Sequence, residues 1–230
     1  FAKAEVDVAV IEVGMGGRLD CTNIITPDLS VITNISFDHV QFLGNTLAKI
    51  AGEKAGIIKP GVPVVIGEAT EETKKVFKDK SLEMNAPIRF AEEEHEIISS
   101  RPEGNTRVYE TLHYGSFIGE LGGLCQEKNT ATILAAIDEL RKAGYIIAQE
   151  HIELGFGHVC KLTGLRGRWQ QLGTRPTVIC DTGHNTGGIS YIAEQLECVQ
   201  ADKLHIIIGM VNDKDIHSVL QQLPKCAIYY

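Results

Sequence analysis

Five short runs limit the folds open to this chain. They are VDVAVIEV (6–13), LSVITNI (29–35), PVVIGE (63–68), PTVICD (176–181) and LHIIIGM (204–210). Each is short, β-branched and nearly continuous in apolar character. A strand with one wet face would alternate polar and apolar residues; near-continuous runs belong to parallel strands covered on both faces. Parallel strands need long crossovers, and the spacing supplies helices for them. NTLAKIAGEKAGII (45–58) stops before Lys59-Pro60-Gly61, and EETKKVFKDKSLEMN (71–85) is amphipathic and solvent-facing. KNTATILAAIDELRKAGY (128–145) places Ile133, Ala136, Ile137 and Leu140 on one face, with Gly144 as its C-terminal cap. GGISYIAEQLECVQ (187–200) and DIHSVLQQL (215–223) complete the helices, and KCAIYY (225–230) reads as a last strand.

Residues 88–123 mix β-formers with turn residues and read as antiparallel hairpins appended to the main sheet. The expected fold class is therefore α/β: a mostly parallel sheet with a β-hairpin appendage, then a second α/β segment after a boundary near residue 165. In open α/β sheets, ligands bind beyond the carboxyl ends of the strands.

With 22 basic and 30 acidic residues, the formal charge is -8. That excludes nonspecific nucleic-acid binding, which needs a basic surface. No apolar run is long enough to span a membrane, and no signal peptide is present, which implies a cytoplasmic setting. Cys21, Cys125, Cys160, Cys180, Cys198 and Cys226 lack the paired spacing of a zinc site and read as reduced thiols.

Strand ends carry the candidate chemistry. Glu12 closes the first run, ahead of a glycine turn (Gly14, Gly16, Gly17) and Arg18, Asp20 and Asn23. A buried carboxylate is costly unless it is paired or holds a metal; a salt bridge to Arg18 and a metal site are both open. The next run ends in Asp38 and His39, and neighbouring parallel strands would bring Glu12 and His39 to one rim. One carboxylate, one imidazole and waters suit Mg²⁺ or Mn²⁺ bridging a nucleotide phosphate. Lys54 follows Glu53 in a largely apolar helix. It is either a solvated lysine or a partly buried amine, neutral enough to take up CO₂ as a carbamate. Arg168, in GLRGRW, suits a phosphate or carboxylate across a cleft, or a hinge salt bridge. Asp181, His184 and Asn185 occupy the loop between a strand and a glycine-led helix. VNDKD (211–215) is a further, weaker polar loop at a strand end.

Taken in order, EVGMGGRLDCTN, SFDH, GEKAGIIKPG, GLRGRW and DTGHN resemble folylpolyglutamate synthase, including its bacterial bifunctional dihydrofolate synthase form, within the ATP-dependent Mur ligase superfamily. The resemblance runs from about Glu5 to Asp215. It implies a partial central ATP-binding domain over 1–165 and part of a Rossmann-like C-terminal domain over 166–230. It also implies a reaction: ATP phosphorylates a folate or dihydropteroate carboxylate, and the amine of L-glutamate attacks the acyl phosphate. On this resemblance Glu12 and His39 are Mg²⁺ ligands, with two metal sites possible. Lys54 is the carbamylated lysine, Arg168 reaches the nucleotide phosphates, and Asp181, His184 and Asn185 face the nucleotide and the reaction centre. The expected partners are small molecules, and the expected state is a monomer.

Two departures stand out. No stretch matches the phosphate-binding loop G-x-x-G-K-[ST]. The reading is of a fragment, cut at both ends, that binds ATP poorly by itself. DTGHNTGG also replaces the family's commoner DGAHNP, while Asp, His and Asn keep their spacing. Two other functions stay open: a Mur-type ligase for another amino-acid acceptor, and a truncated module without catalysis.

Overall fold

The computed structural model describes residues 2–210 and 216–230; VNDKD (211–215) lies outside the described residues. In chain order the elements are β1 (Ser30–Ile32), α1 (Val40–Leu43), α2 (Leu47–Lys54), β2 (Val64–Ile66), α3 (Glu71–Glu83) and β3 (Ile88–Phe90). An antiparallel unit follows: β4 (Ile97–Glu103), β5 (Thr106–Thr111) and β6 (Ser116–Gly119). Then come α4 (Gln126–Lys142), α5 (Gln149–Gly157), α6 (Val159–Thr163), β7 (Gln170–Thr174) and β8 (Thr177–Cys180). The chain ends with α7 (Thr186–Glu197), β9 (His205–Ile206), α8 (Ile216–Gln222) and β10 (Ile228–Tyr229).

β1, β2 and β3 form a parallel sheet in that order, with Ser30 opposite Val64 and Val64 opposite Ile88. The near-continuous apolar character of β2 has a direct cause. Val64 and Ile66 pack with Ala51, Ala55 and Phe77, from the segments that follow β1 and β2. Val65 points the other way, onto Ala91 and Ala135. All three strand residues are buried, as a strand covered on both faces requires. Ile88–Phe90, expected in the hairpin region, is instead the third strand of this sheet.

The antiparallel unit is a three-stranded sheet, β4-β5-β6. Its Tyr109, Tyr114 and Phe117 pack on Leu134 of α4 and Ile152 of α5. α4 therefore buries two faces: Ala135 toward the parallel sheet and Leu134 toward the antiparallel one. This corrects the single expected stripe. Ile133, assigned to that stripe, lies 44% exposed. Gly144 does end the helix as expected, at φ +100° with Tyr145 N–H donating to Leu140 O. A half-buried guanidinium links the layers. Arg89 of β3 donates to Glu94, to Asp138 at 3.2 Å and to Glu139 at 3.0 Å.

Two strand expectations fail for physical reasons. Residues 6–13 form no strand, and Val10 is 91% exposed. A strand needs a ladder, and among the described residues β1 pairs only with β2. PTVICD does form β8, but antiparallel to β7, with Thr174 opposite Thr177. The loop Arg175-Pro176 is two residues long, and so short a loop can only reverse the chain. LHIIIGM contributes the two-residue β9, parallel to β10. α7 and α8 pack beside this pair through Ile189, Val219 and Leu223.

The carboxyl ends of β1 and β2 stay in register past the strands. Gly67 N–H donates to Ile32 O and Glu68 N–H to Thr33 O, at 2.8 and 2.9 Å. A Cβ on Gly67 would lie 2.2 Å from Thr33 O and 2.5 Å from Thr132 Oγ1. Gly67→Ala is expected to destabilise the fold by about 1–3 kcal/mol, the usual cost of overpacking. The measurement is urea unfolding; an unchanged midpoint would show that these loops can separate.

Candidate functional site

The site is built from two interlocked motifs. The glycine turn lies against the carboxyl end of α2. A Cβ on Gly17 would come 2.8 Å from Glu53 O and 2.9 Å from Lys54 O, and one on Gly56 would fall 2.4 Å from Arg18 Cα. Both positions must be glycine for the segments to meet. Polar contacts hold the closure. Arg18 N–H donates to Glu53 O at 2.8 Å, and the Arg18 guanidinium pairs with Glu53 Oε1 at 2.9 Å. Asn23 Nδ2 donates to Gly56 O at 3.0 Å, and Lys59 Nζ to Asn23 O at 2.7 Å.

Asp20 ties the turn together. It accepts from Met15 N–H and Thr22 N–H, each at 2.9 Å, and from the Thr22 hydroxyl. These bonds, the hydroxyl's above all, pull its carboxyl down to about 2. The turn is therefore locked at neutral pH and loosens only as acid protonates Asp20.

Lys54, the last residue of α2, is half-buried. Burial pulls its ammonium below the usual lysine range, and the negative charge of Asp38 partly opposes that. Asp38 is a hub. It accepts from His39 N–H at 2.8 Å, sits 3.7 Å from His184 Nε2, and accepts from Asn185 Nδ2 at 3.4 Å. His39, His184 and Asn185 thus converge on one carboxylate, and Lys54 lies within its electrostatic reach. His39 takes the left-handed conformation (φ +47°) at the start of α1.

The loop after β8 is organised separately. Asp181 accepts from Trp169 N–H and Gly183 N–H, both at 2.7 Å, so its oxygens shape the backbone. Arg168 donates to the Thr182 hydroxyl and is otherwise exposed. Asn185 caps α7 by accepting from Gly188 N–H at 2.8 Å. A cleft of about 220 Å³ includes Arg168, Glu120, Cys160, Arg166 and Trp169. Neither Asp38 nor Lys54 lines it.

Glu12 differs from expectation. It is exposed on an irregular segment, and the salt bridge to Arg18 is excluded because Arg18 pairs with Glu53. Among the described residues, no group of three or more His, Cys, Asp or Glu side chains is gathered for a metal. The donors are one carboxylate and one imidazole, which fits Mg²⁺ only if phosphate oxygens and water complete the shell, as that ion commonly requires. Asp38 was legible only as the neighbour of His39, and its position preceding a site residue was the available signal. Thr182 gave none.

The family described as "Mur ligase middle domain" matches residues 1–136. The chain belongs to the Mur ligase family through that domain. More particularly, it is similar to the dihydrofolate synthase/folylpolyglutamate synthases. It is 33% identical over 97% of its length to that of Mycobacterium tuberculosis and 32% identical over 97% to that of Escherichia coli. It covers 48% and 50% of those proteins, so the chain spans about half the length of the curated relatives it matches. Among solved structures, a complex described as FPGS–AMPPCP–folate superposes with a TM-score of 0.87 at 29% identity, covering 100% of this chain and 56% of that one. The Mycobacterium tuberculosis folylpolyglutamate synthase complexed with ADP gives 0.86 at 32%, covering 97% and 50%.

The Lys54 environment sets a pH dependence. Its folded-state pKa lies below the unfolded value of 10.5. The folded chain therefore loses its proton first as pH rises, and the unfolded chain holds more protons across that window. Stability should climb with pH up to the ordinary lysine value, and Lys54→Met should remove that climb. Parallel stability–pH curves for the two proteins would exclude a desolvated Lys54.

Proposed function

We propose that the chain belongs to an ATP-dependent ligase that adds L-glutamate to a folate or dihydropteroate carboxylate through an acyl phosphate. The observation that carries this reading is the convergence of His39, His184 and Asn185 on Asp38, with half-buried Lys54 in its electrostatic reach, beside the interlocked GGRLDCTN and GEKAGI motifs. Similarity to folylpolyglutamate synthases over nearly the whole chain supports it.

In the proposed reaction a substrate carboxylate oxygen attacks the γ-phosphorus of ATP, and ADP leaves. The glutamate nitrogen then attacks the acyl carbon, phosphate leaves with the C–O electron pair, and the nitrogen gives up its proton. Lys54 is half-buried and its pKa is lowered by that burial, which favours the neutral amine that takes up CO₂ as a carbamate. Its carbamate would place a fixed anion beside Asp38. Glu12 and His39 are the proposed Mg²⁺ ligands, at one of two possible metal sites, and the ion would offset phosphate charge. Arg168 is proposed to reach the nucleotide phosphates from the rim of the cleft. His184 is proposed to face the reaction centre, and Asp181 and Asn185 the nucleotide side.

The division at residue 165, into a partial central ATP-binding domain and a partial C-terminal Rossmann-like domain, is part of the same proposal. So are a monomeric state, a cytoplasmic setting and the absence of nucleic-acid partners. No helix among the described residues is long and apolar enough to cross a membrane.

The test is glutamate-dependent ADP release from the gene's full reading frame, with dihydropteroate and tetrahydrofolate compared as acceptors. Activity with either supports the reading. No glutamate-dependent turnover with either, but turnover with another acceptor, moves the protein to another Mur-type ligase. Lys54→Ala is expected to lower kcat by about 100-fold or more with folding intact. It should also abolish a carbamate signal from ¹³CO₂, and normal turnover would remove the carbamate role. Arg168→Ala should raise the KM for ATP by about 10- to 100-fold, the usual effect of losing a charged hydrogen bond. Unchanged kinetics would return Arg168 to a hinge role.

A further inference from the structure

α7 carries the second segment's site residues at its amino end, and it also docks on the first segment a turn and more away. Tyr191 donates its hydroxyl to Glu68 Oε2 at 3.1 Å. Gln195 uses both ends of its amide: Oε1 accepts from Leu124 N–H at 2.9 Å and Nε2 donates to Gly122 O at 3.4 Å. Tyr191 and Gln195 are one turn apart and share a helix face. Their partners are stiff. Glu68 is held by Lys128 Nζ at 3.0 Å and follows Gly67, whose backbone is packed against Thr33 and Thr132. Gly122 abuts the β4–β5 loop, where a Cβ on it would fall 2.5 Å from Asn105 O.

We propose that Tyr191 and Gln195 are positioning residues that fix the rotation of α7 across the carboxyl ends of β1 and β2, so that His184 and Asn185 face Asp38. A helix anchored at two side chains on one face cannot turn about its axis, and its amino end then has a single direction. Gly187 adds to the fit, since a Cβ there would touch Ser36 Cβ at 3.0 Å. Burial pushes the Tyr191 phenol up to about 12, with the Glu68 charge adding to it, so the hydroxyl stays a donor at any working pH. None of these contacts reaches a substrate; they act through His184 and Asn185. The kinetic half of this inference rests on the ligase reading above, while the structural half does not.

The two halves are tested separately. The first readout is amide exchange at Gly188, capped by Asn185, and at Leu124, held by Gln195. Tyr191→Phe removes one hydroxyl and leaves the ring in place. It is expected to speed exchange at both amides by about three- to tenfold, the worth of one hydrogen bond. Glu68→Gln keeps an acceptor oxygen and should behave as the parent, whereas Glu68→Ala should match Tyr191→Phe. The second readout is steady-state kinetics of the full reading frame, where Tyr191→Phe should lower kcat through His184 and raise the KM for ATP through Asn185. Unchanged exchange in Tyr191→Phe, or Glu68→Gln behaving like Glu68→Ala, overturns the positioning role. So does faster exchange with kcat unaltered in an active enzyme. If the parent shows no ligase turnover, the ligase reading falls and the exchange comparison alone decides the role of α7.

Discussion

The approach of the glycine turn to the carboxyl end of α2 is the constraint on which the candidate site depends. Backbone at Gly17 and Gly56 packs where a methyl group would overlap Glu53 O, Lys54 O or the Arg18 backbone. Sterics of this kind are steep: a tenth of an ångström matters, and no flexible side chain is present to yield. The Arg18–Glu53 pair adds little by itself, because Arg18 is largely solvent-exposed and screened. What it supplies is direction, and Asn23 and Lys59 close the same seam from the other side. The result is that Lys54 emerges half-buried at a helix end whose position is fixed.

From that fixed end the chemistry follows by proximity. A half-buried amine and a carboxylate, Lys54 and Asp38, influence one another electrostatically: burial lowers the amine's pKa and the carboxylate's charge opposes that shift. Asp38 also meets groups from a segment nearly 150 residues later in the chain. One carboxylate therefore senses both the state of α2 and the placement of α7. The chain as a whole is acidic, yet the site gathers His39, His184 and Lys54, and Arg168, just ahead of β7, reaches the β8–α7 loop through the Thr182 hydroxyl.

Much of this was legible before any coordinates. β2 read as a two-sided strand because Val64, Val65 and Ile66 all face apolar neighbours, and the helices that cross over between strands followed from their stop signals. The failures share a cause: they depend on partners distant in sequence. Residues 6–13 have the composition of a strand but no ladder beside them. Ile133 shares a helical stripe with Ile137, yet α4 is wedged between two sheets and buries Leu134 and Ala135 instead. In the site, His39, His184 and Asn185 could be singled out because each follows a strand, and Lys54 because it lies in a largely apolar helix. That they meet at Asp38, and that Arg18 chooses Glu53 over Glu12, are facts of tertiary packing that spacing does not encode.

The two-sided burial of α4 has one more consequence. A helix that seals one sheet can detach with that sheet; a helix that seals two makes them one cooperative unit. Loss of packing at Leu134 removes the lid of the antiparallel sheet and also loosens the wall behind Val65, which leads directly to Gly67 and Glu68. Arg89, reaching from the parallel sheet to Asp138 and Glu139 on the same helix, stitches the two together electrostatically. The hairpin sheet is thus no loose ornament. Its melting is expected to be coupled to that of the parallel sheet, with α4 as the shared member.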